Sequence, residues 1–218
     1  MNILCISAAN TVLMGENSAS IQVCNLIKKI VGEEQIQASV DIVSLVNYEL
    51  KFCKLCGDCY TDSTCKFDVA FNELFSRINN ADVFFFVVPH YSPIPSKLLA
   101  LFEKINEIVY ASWIKDNNYT AAFTGKPVGI IGHGGMPENE KILTYYHDNL
   151  ITPVSNTLKS LSFRVIGLNE EYTNGIAFGL ENEKSLHDSK DSVFPDIVHN
   201  WDLIEERIKP FIKKVVME

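Results

Sequence analysis

The chain has 218 residues, 47% of them hydrophobic, which suits one α/β domain with a sizeable core. Its formal net charge is −8, and it has no basic run longer than Lys213-Lys214, so nucleic acid and anionic membrane surfaces are poor partners. The opening residues MNILCIS lack the basic region and cleavage site of a signal peptide, and no apolar stretch approaches a membrane span, so a cytoplasmic protein is expected.

In chain order, residues 2–7 read as a first strand and residues 8–18 as a polar loop. A first helix carries Val23, Ile27 and Ile30 on one face, widened by Leu26. Residues 40–45 make a second strand, and a cysteine-rich insertion occupies 52–66. The second helix has Phe71, Leu74, Phe75 and Ile78 at helical spacing. Residues 83–88 form an unbroken run of β-branched and aromatic side chains, the pattern of a strand buried on both faces of a parallel sheet. Pro89 stops it, since proline cannot donate to a ladder. The loop His90-Tyr91-Ser92-Pro93 leads to a third helix with Leu98, Leu101, Phe102 and Ile105 inward.

Residues 111–124 read as a looser region, and Lys126-Pro127 opens a fourth strand over 128–131 that ends in a glycine turn. A long helical region follows, interrupted at Pro153, then a fifth strand at 163–168. Residues 181–196 are polar and aperiodic, hence a loop or lid. The last helix turns Trp201, Ile204, Ile208, Phe211 and Val215 inward, with a kink expected at Pro210. No repeat or linker divides the chain, so residues 1–218 are expected to form a single domain.

Alternating strands and helices call for right-handed crossovers and helices on both sheet faces. The loop after the first strand contains only Gly15, so the dinucleotide fingerprint G-x-G-x-x-G is missing. The pattern favours a flavodoxin-like three-layer sandwich, a five-stranded parallel sheet in the order 2-1-3-4-5, with a ligand crevice beyond the carboxyl ends of the strands.

Three loops should meet there. The first offers the hydroxyls of Ser7, Ser18 and Ser20 and the amide of Asn17 at a helix start, where a phosphate monoester would meet free N–H groups. A capped helix with a solvated loop explains the same residues. The second loop contributes Pro89, His90, Tyr91 and Ser92, and the third Gly132, His133, Gly134 and Gly135. The glycines leave room for a flat ring system, against which Tyr91 could lie. His90 and His133 read as polar loop residues, and no side chain is assigned as catalytic.

Asn17-Ser18, Pro89-x-Tyr91, Gly125-Lys126-Pro127 and the Gly132–Gly135 turn occur in the order and contexts of NADPH-dependent FMN reductase-like flavoproteins, which the chain resembles from Met1 to about Gly135. The resemblance implies non-covalent FMN, NAD(P)H as co-substrate, and a homodimer or dimer of dimers. It puts the phosphate on Ser7, Asn17 and Ser18, and the isoalloxazine on Pro89, His90, Tyr91, Ser92 and Gly132 to Gly135. Two stretches depart from the family pattern: Ser7-Ala8-Ala9-Asn10, where Gly-Ser-Pro-Arg is common, and Ala100 with Glu103-Lys104, where Lys and then Asp-Arg are common.

Cys53, Cys56, Cys59 and Cys65 have the spacing C-x2-C-x2-C-x5-C. Such spacing can wrap a [4Fe–4S] cube, and the segment resembles that of the iron–sulfur flavoprotein branch. Zinc ranks second, because its ligands usually come as two separated pairs, and an empty site is the third reading. Cys5 and Cys24 read as core thiols. The leading expectation is an FMN-dependent NAD(P)H oxidoreductase that passes hydride from NAD(P)H to FMN and on to a small-molecule or protein acceptor. The alternatives are an iron–sulfur flavoprotein electron carrier serving a partner such as ferredoxin, and a non-enzymatic flavodoxin-like module with structural zinc.

Overall fold

The apolar run of the sequence becomes β3 (Val83–Pro89), and all of its residues are buried. A computed structural model describes residues 1–180 and 199–218. β3 pairs in parallel with β1 (Asn2–Ser7) on one side and β4 (Pro127–Pro137) on the other. β2 (Ser39–Ser44) forms one edge beside β1, and β5 (Arg164–Ile166) pairs with β4, giving the order β2-β1-β3-β4-β5. That is the order expected from the sequence.

Because side chains alternate across a strand, Phe84, Phe86 and Val88 point to one face, and Phe85 and Val87 to the other. The first set packs under α3 (Val69–Asn80), α4 (Ser96–Lys115) and α6 (Thr152–Ser160) with Phe71, Leu74, Leu101, Ile105 and Leu158. The second packs under α1 (Ala19–Glu33) and α7 (Trp201–Met217) with Val23, Ile27, Phe211 and Ile212. A strand cored on both faces has to be apolar throughout, whereas the edge strand β2 needs only alternate burial.

Several elements differ from expectation. The glycine segment after residue 131 is not a turn. β4 runs on to Pro137 because a further strand, β6 (Ile176–Leu180), pairs with it at Gly132↔Ala177 and His133↔Phe178 and satisfies its backbone groups. There the glycines admit neighbours. A Cβ at Gly132 would lie 3.1 Å from Ile151, and one at Gly134 would overlap the ring and hydroxyl of Tyr146.

β5 is shorter than the expected 163–168, since its pairing is confined to residues 127–129 of β4. α4 continues through the region expected to loosen, with Ala111 and Ser112 buried and the Ser112 hydroxyl donating to the Ile108 carbonyl. Pro153 does not interrupt the helical region. α5 (Glu140–Tyr146) passes through a π-helical turn (His147–Ile151) into the first turn of α6, where a missing N–H costs little. Likewise Pro210 lies inside the continuous helix α7. The loop expected at 181–196 lies outside the described residues. No helix among the described residues is long and apolar enough to cross a membrane.

Candidate functional site

A cavity of about 410 Å³ opens beyond the carboxyl ends of β1, β3 and β4, within the ~300–1,000 Å³ common for small-molecule sites. Its floor is the head of α1. A 3-10 turn (Gly15–Asn17), with Gly15 at φ +46°, brings the chain to Ser18, the N-cap. The Ser18 hydroxyl accepts from the Ile21 N–H at 3.4 Å. The N–H groups of Ala19 and Ser20 are first-turn donors with no helical acceptor, and they stand at the positive end of the helix dipole.

The other walls are tied to this floor. The Asn10 N–H donates to the Tyr91 hydroxyl at 3.1 Å, joining the first loop to the second. The His90 N–H donates to the His133 carbonyl at 2.7 Å, joining the second loop to β4. Gly135 lines the cavity, and a Cβ built on it meets nothing within 4 Å, so the open side of that backbone is available to a flat ligand.

The buried end of the cavity is polar. Ser20 Oγ and His133 Nε2 are 2.7 Å apart and both residues are buried. Burial, with His199 adding to it, pushes His133 down to about 3, so its ring is neutral near pH 7. The ring stacks on Phe178 at 5.4 Å, and Phe178 meets His199 edge-on at 5.5 Å. Burial also holds the pKa of His199 below the ordinary histidine range. His199 is 7% exposed and its Nδ1 has no hydrogen-bond partner among the described residues. Glu138 and Arg207 form a partly buried pair next to it. Burial works to raise the Glu138 carboxyl, but Arg207 and the Gly179 N–H outweigh it and lower the pKa.

Of the residues singled out in the sequence, Asn17, Ser18, Ser20, Pro89, His90, Tyr91, His133, Gly134 and Gly135 line this one cavity. Ser7, Ser92 and Gly132 are not among its lining residues. The Ser7 hydroxyl is buried beneath the loop with no partner among the described residues, and Gly132 packs against Leu150 and Ile151. Sequence reasoning missed His199 as a wall residue and gave Trp201 only a core role. Both stand at the head of α7, where a His-Asn-Trp step was the available signal.

The cysteine insertion makes a second, smaller cavity of about 120 Å³, lined by Cys53, Cys56, Cys59 and Cys65 together. Its frame is firm. The Cys53 N–H donates to Glu103 at 3.1 Å, and Asn72 brackets Cys65 through its N–H and C=O at 2.9 and 2.8 Å. The turn at Leu55 has φ +49°, and its N–H donates to Cys53 Sγ at 3.4 Å. The short helix α2 (Cys59–Asp62) ends at Ser63 with φ +61°. Beneath lies a buried ion pair, in which Lys104 Nζ reaches Asp68 at 2.7 Å and Cys65 Sγ at 3.6 Å. Burial raises the Cys59 thiol, and the nearby Cys53 and Cys56 add to that. Among the described residues, however, no group of three or more His, Cys, Asp or Glu side chains is arranged to hold a metal ion. The four thiols surround one space without converging as a ligand set, so the expected cluster geometry is not found. Cys5 and Cys24 are buried in the core, which raises both thiols.

A 2-1-3-4-5 parallel sheet with its crevice at the switch between β1 and β3 defines the flavodoxin-like class of α/β proteins. Within that class the chain belongs to the NADPH-dependent FMN reductase family, whose sequence profile matches residues 1–155. It is thus an NAD(P)H-dependent flavin oxidoreductase by family, with FMN and NAD(P)H as the implied cofactor and co-substrate.

Solved structures agree on the fold. The flavoenzyme FerB, an NAD(P)H:(acceptor) oxidoreductase from Paracoccus denitrificans, is 11% identical with a TM-score of 0.55, over 99% of this chain and 94% of its own. RosB with a bound riboflavin-phosphate intermediate is 14% identical with a TM-score of 0.61, over 100% and 77%. An FMN-dependent NADH-azoreductase from Bacillus anthracis in complex with FMN is 14% identical with a TM-score of 0.55, over 100% and 98%. No curated protein matches the sequence.

Proposed function

We propose that the larger cavity binds FMN non-covalently and that the protein reduces a small-molecule or protein acceptor with electrons from NAD(P)H. The observation that carries this reading is the convergence of three separate segments on one cavity: the head of α1, the Pro89–Tyr91 loop and the Gly134-Gly135 backbone. Bound FMN would supply the hydride chemistry, accepting from the nicotinamide and giving to the acceptor.

The protein's part is placement. Asn17, Ser18 and the first N–H groups of α1 suit the phosphate, where several hydrogen bonds to a charged group at ~1.5–3 kcal/mol each outweigh the helix dipole. Tyr91, half-exposed and tied to Asn10, walls the side of the ring, and Gly135 leaves the opposite approach clear. Val12 and Leu13, exposed at the cavity mouth, offer apolar contact to an incoming acceptor. Anaerobic mixing of the FMN-loaded protein with NADPH or NADH should bleach the flavin absorbance. If neither nucleotide does so while dithionite does, the oxidoreductase reading falls.

A second reading, an iron–sulfur flavoprotein relaying electrons to a partner such as ferredoxin, draws support from the four cysteines around one cavity. Iron and acid-labile sulfide in anaerobically purified protein, lost on Cys56→Ser with Cys59→Ser, would favour it. Their absence leaves the flavin reading alone.

A further inference from the structure

Among the described residues, no lysine or arginine lines the larger cavity. What the described residues offer a phosphate there is N–H and O–H groups. Each hydroxyl then matters by the direction of its single proton. Ser18 uses its oxygen to accept from Ile21, which leaves its own O–H free to donate. Ser20 shares its hydroxyl with His133.

We infer that His133 is a positioning residue which, by donating its Nε2–H to Ser20 Oγ, aims the Ser20 O–H at a phosphate monoester on the head of α1. This rests on the FMN reading above and deepens it, by naming what makes the cavity prefer a phosphorylated flavin to its dephosphorylated form. A serine hydroxyl has one proton. Given to the imidazole, that proton is lost to the ligand; released by an Nε2-protonated imidazole, it faces the anion. The arrangement needs the proton on Nε2, and in the ring that burial keeps neutral this is the Nε2–H tautomer. Stacking on Phe178 and the backbone tie to His90 fix the ring's place. A second observation points to a ligand in the same space: His199 lines this cavity with a buried Nδ1 that has no partner among the described residues.

The experiment measures FMN and riboflavin binding by flavin fluorescence for wild type, Ser20→Ala, His133→Phe, His133→Gln and the Ser20→Ala/His133→Phe pair. Ser20→Ala and His133→Phe should each weaken FMN about 10–100-fold, the scale of one lost hydrogen bond to a charged group, and riboflavin by less than about twofold. The double variant should bind FMN no more weakly than either single variant. His133→Gln, whose amide N–H can still donate to Ser20, should keep most of the FMN affinity. Equal losses for FMN and riboflavin in His133→Phe, or full additivity with Ser20→Ala, overturn the inference while leaving the FMN reading intact. A wild type that binds neither flavin overturns both.

Discussion

The two cavities are built on opposite plans. The larger one sits at the ends of three parallel strands, and its walls are joined by backbone hydrogen bonds across the sheet. The smaller one is an insertion between β2 and α3, held from outside by side chains: Glu103, Asn72 and the Lys104–Asp68 pair. A site built on a sheet inherits its shape from the fold. A site built on a loop keeps its shape only while its side-chain anchors hold. Cavity residues should therefore respond to substitution differently in the two places.

Acid should act most strongly, and on the larger cavity. His133 has a folded pKa near 3, below the ordinary 6.5, so its contribution to stability is complete above pH 6.5 and is lost as pH falls toward 3. By about 1.4 kcal/mol per unit, the loss approaches roughly 4 kcal/mol. In urea melts between pH 7 and pH 4, wild type should lose stability relative to His133→Phe as the pH drops. Parallel curves would mean that His133 is not buried neutral.

Lys104→Met should cost about 3–5 kcal/mol, because it strands Asp68 as a buried uncompensated charge. Adding Asp68→Asn should recover part of the loss. Thermal melts check the stability, and mass-spectrometric labelling should show Cys65 newly reactive while flavin binding by the remaining folded protein is unchanged. If flavin binding falls in step with the labelling, the two cavities are not separate.

Within the larger cavity, the neighbouring glycines sharpen the contrast. Gly134→Ala drives a methyl into Tyr146 and should destabilise by about 1–3 kcal/mol. Gly135→Ala meets only open space, so stability should stay within about 0.5 kcal/mol while FMN binds roughly tenfold more weakly. Differential scanning calorimetry and a flavin titration separate the two effects.

The smallest effect expected is at Cys56, the one exposed cysteine of the four. Cys56→Ser should leave stability unchanged to within about 0.5 kcal/mol and remove the fastest thiol in a timed alkylation.

The sheet order was legible because β3 carries its burial in an unbroken apolar run, and because helix stripes such as Phe71, Leu74 and Ile78 are local patterns. β4's extension was not. Gly-His-Gly-Gly has the composition of a turn, and only pairing with Ile176–Leu180, some forty residues on, makes it a strand. That Asn17, Ser18 and Tyr91 meet at one crevice could be read from the strand ends alone. His199 could not, because its place beside His133 depends on how α7 packs across the sheet. The cysteine spacing was plain, yet spacing gives separation along the chain and says nothing of whether four sulfurs converge.

The far separation of Ser20 from His199 and Trp201 bears on how the protein is made. These three residues share one cavity but are translated roughly 180 residues apart, about 10–40 s at ~5–20 residues per second. The head of α1 leaves the ribosome long before its opposite wall exists. The nascent chain thus spends most of its synthesis with an open half-site, and the cavity is complete only after the head of α7 has docked.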